Sequence, residues 1–265
     1  SNIDFFRAYS EKVSSSYRKP WPRPWPCGIV WIHWDSRWLR VVRQSLDPSN
    51  GLLAIDLAWT PRNEQPRGVQ ISCHVDWETG LVSVSSEVPA PVTTVAYEWY
   101  KDENNPLPTG QITTRGASAP GEFEYIQRLP ATAPTAEVPN PPPSGKDRIL
   151  AVHGRLSGTW SVLNREAAAS SEPASRAAIF SPIGHQPLRL DLMVCTSRDH
   201  PDPGTHGAAE VQRLSSVPVP VLRKESEAHW QRFWSRSAVE LEDKELERIW
   251  YHNQYFLACC LREGK

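Results

Sequence analysis

Short apolar runs rich in Val, Ile, Trp and Thr dominate the chain up to Pro218. Turn residues separate several of them, as in Asp47–Gly51 and Glu78–Gly80. The runs are Gly28–Trp34, Trp38–Gln44, Leu52–Trp59, Val69–Val75, Leu81–Ser86, Thr93–Tyr100, Arg148–His153, Gly158–Leu163, Ala177–Phe180 and Leu188–Cys195. A turn about every ten residues is typical of an antiparallel sandwich or barrel. Parallel βαβ units are excluded because no helical pattern lies between the runs.

The hydrophobic period becomes helical after Pro218 and Pro220. Val221–Ser237 has a moderate apolar face, and Asp243–Arg262 has a stronger one. One stripe of the second segment carries Leu246, Ile249, Trp250, Asn253, Phe256, Leu257, Cys260 and Leu261. The pattern therefore predicts a mainly β fold, an antiparallel β-sandwich followed by two C-terminal α-helices.

Proline-rich and polar segments interrupt these elements. Tyr17–Pro26 contains four prolines and predicts an extended surface segment, because each proline removes a backbone donor and restricts its predecessor. Pro130–Lys146 contains six prolines and predicts a loop or an insertion at one edge of the sheet. Ala167–Ser175 and Arg198–Gly207 are predicted to be long surface loops.

The charge balance narrows the classes of partner. The 265 residues carry 29 Lys+Arg and 30 Asp+Glu, a net charge of −1, which gives no basic surface for nucleic acid. No apolar stretch approaches the length of a membrane span, and Ser1–Tyr17 lacks the apolar stretch of a signal peptide. These features do not determine the cellular compartment of the protein.

Cysteine and histidine spacing predicts neither a disulfide framework nor a metal site. The five cysteines are odd in number and mostly scattered, so buried free thiols are expected, with one bridge among Cys27, Cys73 and Cys195 as an alternative. The nearest approaches to a metal cluster are Cys73 with His74, and Asp199 with His200 and His206, but no HExxH or CxxC spacing is present. No P-loop or GxGxxG occurs either, so no cofactor is predicted.

A resemblance enters at the C-terminal segments. His229–Ser237 contains Trp-x-x-Phe-Trp-x-x-Ser, and Val239–Asp243, Leu246–Tyr251 and Tyr255–Leu257 follow it. This run resembles the domain junction of two-domain glycosidases of families 95 and 65. Looser upstream phrases, which look like those of a bacterial N-terminal domain found before such barrels, are Arg43–Asp47 with Gly51, Val75–Trp77 and Glu98–Tyr100.

The resemblance implies a domain division and a role. Residues 1–220 would form an N-terminal β-supersandwich of the galactose-mutarotase-like kind, and residues 221–265 a linker helix and the first helix of an (α/α)6 barrel. Catalytic carboxylates of those enzymes lie well inside the barrel, so no residue here inherits an acid or base role. The expectation is a truncated, inactive scaffolding domain of a carbohydrate-active protein, secreted or periplasmic at full length, whose partners are the missing barrel and carbohydrate.

Two alternatives come from other classes. One is a free-standing, lectin-like carbohydrate-binding module, and the other is a structural assembly protein that associates through the apolar stripe. The stripe on the last helix discriminates between the scaffolding domain and the free-standing module. If it packs against this chain's own sheet, an independent module is favoured, whereas an open patch indicates a partner domain.

Paired carboxylates are the candidates for glycosidase chemistry, which needs two flanking carboxyl groups. The pairs are Asp76 with Glu78, Asp102 with Glu103, and Glu122 with Glu124. Alternate residues of a strand share a face, so the first and third pairs can approach each other. Solvated surface charges nevertheless explain all three pairs better, and no catalytic residue is assigned.

Twelve tryptophans suit carbohydrate, since their rings stack on sugars, but large rings also fill cores. Trp31, Trp59, Trp160, Trp230 and Trp234 are predicted to be core residues, and Trp21 and Trp25 to have an exposed role. The candidates for carbohydrate contact are Trp34, Trp77, Trp99, Asn253 and Gln254. Asn253 lies at the centre of the helical stripe, so a tie to the β domain is predicted for it, with a barrel-facing position as the alternative.

Overall fold

The computed structural model describes residues 28–35, 37–60, 65–98, 112–131, 137–138, 142, 144–165 and 176–260. The extended segment predicted at Tyr17–Pro26, the loop predicted at Ala167–Ser175 and the carboxylates Asp102 and Glu103 lie outside these ranges.

Twelve strands in the described ranges form two antiparallel sheets. They are β1 (Ile29–Trp34), β2 (Leu39–Asp47), β3 (Leu52–Trp59), β4 (Arg67–Val75), β5 (Val82–Pro89), β6 (Val92–Glu98), β7 (Ile112–Ala119), β8 (Glu122–Leu129), β9 (Arg148–Leu156), β10 (Trp160–Arg165), β11 (Arg176–Pro182) and β12 (Pro187–Thr196). The smaller sheet has the order β1-β6-β11-β10, and the larger has the order β2-β3-β4-β5-β12-β9-β8-β7. The predicted antiparallel β-sandwich is confirmed.

The principal core lies between the two sheets. It is built from alternate residues of facing strands, because successive side chains of a strand point to opposite faces. Val95 and Phe180 of the smaller sheet and Leu57, Phe123 and Leu190 of the larger sheet are among its fully enclosed members. The smaller sheet has four strands and the larger has eight, so part of the larger sheet lies beyond the cover of its partner.

Three helices lie in the described part of the chain: α1 (Pro203–Ser215), α2 (Val219–Trp234) and α3 (Lys244–Cys260). None of these helices is long and apolar enough to cross a membrane. The α1 helix packs on the outer face of the larger sheet, and a second core forms from its Val211 and Leu214 with Leu81, Met193 and Leu222. The larger sheet is therefore covered on both faces near its centre, by the smaller sheet on one side and by helix α1 on the other.

Helix α1 corrects one expectation. The sequence predicts a surface loop at Arg198–Gly207, but the helix begins within this segment at Pro203. Asp202 caps the helix, since its Oδ1 accepts a hydrogen bond of 3.1 Å from the Thr205 amide, and proline suits the first helical position. Gly207 lets the helix approach the sheet closely, because a Cβ there would lie 2.6 Å from His153 Cδ2.

The strand predictions were right at all ten runs but missed two strands. The ten runs coincide with β1 to β6 and β9 to β12 within a few residues, while β7 and β8 had no predicted counterpart. The helices at Val221–Ser237 and Asp243–Arg262 correspond to α2 and α3. Asp243 caps α3 by accepting hydrogen bonds from the amides of Glu245 and Leu246, at 2.9 and 3.1 Å.

A buried polar layer lies between the larger sheet and helix α2. Ser226 Oγ donates a hydrogen bond of 3.2 Å to the Val75 carbonyl, and Arg223 donates one of 2.9 Å to Ser72 Oγ. His74 lies beside them at 2% exposure, and neither of its ring nitrogens has a hydrogen-bond partner. Burial lowers the pKa of His74, and Arg223 lowers it further. The imidazole is therefore neutral at pH 7 in the folded protein, although Asp191 and Asp76 act on its pKa in the opposite direction.

This neutral histidine predicts a loss of stability in acid. Burial also lowers the pKa of His153 and of His229. The three histidines therefore change the free energy of unfolding in the same direction as pH falls. Their stabilisation is complete above the unfolded-state pKa near 6.5 and is lost as pH falls from there through the lower folded-state values. The free energy of unfolding, measured in urea between pH 8 and pH 5, should decrease below about pH 6.5.

The matched variants are His74→Leu and His252→Gln, the latter at an exposed position on α3. His74→Leu should flatten the pH dependence, because it removes the group that must take up a proton on unfolding. His252→Gln should leave the slope as it is in the parent. Equal slopes in the parent and in His74→Leu would contradict the assignment.

Candidate functional site

An aromatic cluster joins the helices to the sandwich. Trp230 of α2 is its centre, with 4% exposure, and its ring centroid lies 4.7 Å from that of Tyr255 on α3 and 5.8 Å from that of Trp77. Trp77 belongs to the turn between β4 and β5, so one indole contacts the sandwich and both helices. Such ring pairs each contribute about 0.5–1.5 kcal/mol beyond the area they bury.

The turn between β2 and β3 closes over the same indole. Gly51 in this turn has φ +68°, and a Cβ there would lie 2.2 Å from Trp230 Nε1. The neighbouring Trp234 donates a hydrogen bond of 2.8 Å from Nε1 to the Pro48 carbonyl. Asp47 shapes the turn, since its Oδ1 accepts a hydrogen bond of 2.9 Å from the Ser49 amide. Helix α2 is thereby held against this hairpin at two tryptophans.

A pocket of about 610 Å³ opens beside this contact. The turn between β2 and β3, the end of α2 and the first half of α3 line it, with Asp47, Pro48, Ser49, Gln231, Trp234, Ser235, Arg248, Tyr251 and His252. The rings of Trp234 and Tyr251 lie 5.4 Å apart at 60°, and Tyr251 donates its hydroxyl to the Val239 carbonyl at 3.1 Å. Fixed aromatic rings with amide, guanidinium and carboxylate groups nearby can stack on and hydrogen-bond a polar ligand.

Helix α3 has two apolar faces. Tyr251 and Tyr255 face α2, whereas the predicted stripe points away from the domain. Four of its members remain 56% (Leu246), 49% (Ile249), 57% (Phe256) and 53% (Leu257) exposed, whereas Trp250 is half-buried. The stripe is an open apolar surface on the part of the chain that the structure describes.

The predicted carbohydrate contacts lie in different parts of the domain. Trp34 ends β1, is half-buried and packs against the core between the sheets. Trp77 stacks on His229 with ring centroids 4.3 Å apart, so the imidazole covers one of its faces. Gln254 is half-buried on α3, and Trp99 lies outside the described residues.

Asn253 is exposed on α3, at the centre of the open stripe. The predicted burial against the β domain was wrong, because Tyr251 and Tyr255, rather than the stripe, attach this helix to α2.

The core tryptophans were mostly predicted correctly. Trp160 and Trp230 are each 4% exposed, and Trp59 and Trp234 are half-buried. Trp31 is the exception at 44% exposure, and its Nε1 donates a hydrogen bond of 2.8 Å to Glu98 Oε2. It lies on β1, an edge strand of the smaller sheet, where one face of the strand is open.

Sequence reasoning missed the pocket as a site, although its signal was present. Trp230 and Trp234 are four residues apart on α2, and Tyr251 and Tyr255 are four residues apart on α3. Residues at this spacing share a helix face, so two successive helices each present an aromatic pair. The contribution of the turn at Asp47–Ser49 comes from far along the chain and has no local signal.

The paired carboxylates have structural partners. Asp76 is buried and accepts a hydrogen bond of 2.8 Å from the Thr79 amide in the turn after β4. Glu122 lies 3.2 Å from an Arg155 guanidinium nitrogen. Glu124 lies 3.6 Å from His153 Nδ1, and burial raises the pKa of Glu124. With Asp76 in a turn and Glu122 in an ion pair, neither pair is a free acid and base.

The predicted metal candidates do not assemble into a ligand set. His200 and His206 stack face to face with ring centroids 4.4 Å apart, and Cys73 lies on β4 beside the buried His74. In the described residues, no group of three His, Cys, Asp or Glu side chains is placed to hold a metal ion.

Comparison with known proteins gives a likeness at the level of structure but none at the level of sequence. No family model matches the sequence, and no curated protein matches it. Among solved structures, the chain is similar to a putative kojibiose phosphorylase from human microbiome, with 12% sequence identity and a TM-score of 0.41. The match covers 72% of this chain and 24% of the phosphorylase, so this chain spans about a quarter of that protein's length.

The contact between Gly51 and Trp230 yields a test of how the helices are attached. Gly51→Ala should lower the free energy of unfolding by about 1–2 kcal/mol for the left-handed backbone alone. The total loss of unfolding free energy should be larger, because the new Cβ also displaces the buried indole of Trp230. Urea unfolding followed by tryptophan fluorescence measures the change.

Variants at two other glycines separate the backbone contribution to this loss of stability from the steric one. Gly184 has φ +81°, but no atom lies within 4 Å of the place that a Cβ would take, so Gly184→Ala should lose only the backbone part. Gly68 has open space, and Gly68→Ala should change little. A Gly51→Ala variant no less stable than Gly184→Ala would contradict the steric role of Trp230.

Proposed function

We propose that this chain is a non-catalytic scaffolding domain of a carbohydrate-active, glycosidase-like protein, and that α3 receives a helical partner domain. The observation that carries the proposal is the open stripe of Leu246, Ile249, Phe256 and Leu257. Solvent-exposed apolar side chains grouped on one face mark an interaction surface. The junction phrase at His229–Ser237, which resembles that of two-domain glycosidases, supports the glycosidase-like part of the proposal.

The chemistry of the stripe favours a helical occupant. Its residues recur at three- and four-residue steps, and such rows form the ridges that pack into the grooves of another helix. Each side chain is about half exposed, so covering it would contribute about 1 kcal/mol. Asn253 within the stripe offers an amide to a partner backbone or side chain. We expect the purified chain by itself not to cleave glycosides.

The stripe can be tested in the purified chain with an apolar dye. The parent should increase the fluorescence of 8-anilinonaphthalene-1-sulfonate, because the dye binds exposed apolar surface. The double variant Phe256→Gln with Leu257→Gln should reduce that signal, since glutamine keeps the helix propensity but removes the apolar surface. Leu163→Gln, at a residue 59% exposed on β10, is the matched control and should keep the signal.

The partner itself is tested in the natural full-length protein. There the same double variant should lower the thermal midpoint and speed proteolysis between the domains, whereas Leu163→Gln should do neither. A full-length protein as stable with the double variant as without it would contradict docking on α3.

The second candidate is a free-standing carbohydrate-binding module, and the pocket beside α3 favours it. Trp234 and Tyr251 supply ring faces, while Gln231, Arg248 and Asp47 supply hydrogen-bonding groups. Trp34, Trp77, Trp99, Asn253 and Gln254 stay proposed contacts for carbohydrate, with Gln254 on the same helix as the pocket wall.

Titration calorimetry with neutral oligosaccharides tests the module. If sugar binds in the pocket, Trp234→Ala should weaken binding about tenfold, the equivalent of about 1.4 kcal/mol. Trp38→Ala, at a tryptophan 41% exposed next to β2, is the control and should leave the affinity unchanged. Binding that is equally insensitive to both variants would exclude the pocket, and Gln254→Ala and Trp77→Ala would then test the predicted contacts.

A further inference from the structure

Strand β2 is the edge of the larger sheet among the described strands, and it is unusually open. All of its residues except Leu39 and Ser45 are exposed. Val41, Val42 and Leu46 are 51%, 58% and 41% exposed. An exposed edge strand with apolar side chains presents unpaired backbone donors and acceptors to another strand.

The pairing of β2 with β3 defines which side chains share a face. Val41, Gln44 and Leu46 lie opposite Leu57, Ile55 and Leu53, on the face toward the inter-sheet core. Arg40, Arg43, Ser45 and Asp47 lie opposite Ala58, Asp56, Ala54 and Leu52, on the other face. A β-bulge between Val41 and Arg43 places Val42 as the extra residue.

We propose that β2 pairs with β2 of a second copy of this chain, antiparallel about a twofold axis at Gln44. This register places Gln44 opposite Gln44 of the second copy and Arg43 opposite Ser45. Across the bulge, Val41 and Val42 lie opposite Leu46, and Arg40 lies opposite Asp47. Every opposed pair has its side chains on the same face of the joined sheet, as pairing requires.

The side chains select this partner by their chemistry. Each copy contributes one ion pair of opposite charge, one apolar pair and half of an amide pair, and each such pair contributes about 0.2–1 kcal/mol. A twofold axis one residue away, at Arg43, would place two like charges directly opposite each other, which is destabilising. Self-complementarity about a twofold axis is what a closed dimer interface requires.

The carboxylate of Asp47 is already positioned for its role. Its Oδ1 is held by the Ser49 amide at 2.9 Å and by the Ser49 hydroxyl at 2.6 Å. The group therefore has little conformational freedom left to lose when Arg40 of the second copy approaches. This interface is separate from the stripe on α3, so it goes beyond the proposed function.

Sedimentation equilibrium of the 265-residue chain tests the proposal. The parent should form a concentration-dependent dimer, and the double variant Val41→Lys with Leu46→Lys should be monomeric at the same concentrations. Val88→Lys, at an exposed valine near the end of the interior strand β5, is the matched control and should stay dimeric. Arg40→Glu is a second variant on the outer face and should also dissociate the dimer, whereas Arg40→Lys should retain it.

Disulfide trapping tests the register. Under mild oxidation Gln44→Cys should link two chains covalently, because directly opposite residues have Cβ atoms about 5 Å apart. Ser45→Cys should not, because Arg43 lies opposite it and the two introduced cysteines are diagonal neighbours. Both are read against the parent, which carries its own exposed Cys259.

A parent that is monomeric throughout the concentration range would overturn the proposal. So would a dimer that survives Val41→Lys with Leu46→Lys but is lost with Phe256→Gln and Leu257→Gln, which would move self-association to α3. If the β2 variants abolish the dimer and the α3 variants do not, and if the β2 variants leave the dye signal of α3 unchanged, the β2 interface is supported. This conclusion does not depend on whether α3 binds a helical partner.

Discussion

The burial of Trp230 is the contact on which the arrangement of the C-terminal helices depends. The indole lies against the close-approaching Gly51, beside Trp77 and in contact with Tyr255, so it links two hairpin turns to α2 and α3. Its neighbour Trp234 adds a hydrogen bond to the Pro48 carbonyl. Side chains at a four-residue spacing on one helix thus hold two sheet turns and a second helix together.

This attachment explains why α3 faces two ways. Tyr251 and Tyr255 are held by the rings of Trp234 and Trp230, which determines the rotation of the helix about its axis. Leu246, Ile249 and Phe256 then point away from the domain. The same rotation places Tyr251 beside the turn between β2 and β3, where the pocket forms. The open stripe and the pocket are therefore two consequences of one packing interaction.

Burial in the larger sheet differs between its centre and its β2 edge. At its centre, strands such as β4 and β12 are covered by the smaller sheet on one face and by helices on the other. Some buried polar groups have partners there, as Ser83 Oγ does at 2.7 Å from Asp191 Oδ1, whereas the ring nitrogens of His74 have none. The β2 edge lies beyond both of these covering layers, so Val41 and Val42 are exposed although they belong to a strand. Burial in this domain follows position in the sheet as much as residue type.

Local pattern determined the class of fold, the ten runs that became strands and the two final helices, because alternation and the 3.6-residue period are properties of neighbouring residues. It missed β7 and β8, which had no predicted counterpart among the apolar runs, and it placed helix α1 in a loop despite the Asp202–Pro203 start signal. It identified the stripe on α3 but favoured, over a barrel-facing position, a tie to the β domain for Asn253, which is exposed. Only the tertiary structure decided which face of α3 is covered and that Asp47–Ser49 meets Trp234, since these depend on contacts between residues nearly two hundred positions apart, which a local pattern does not encode.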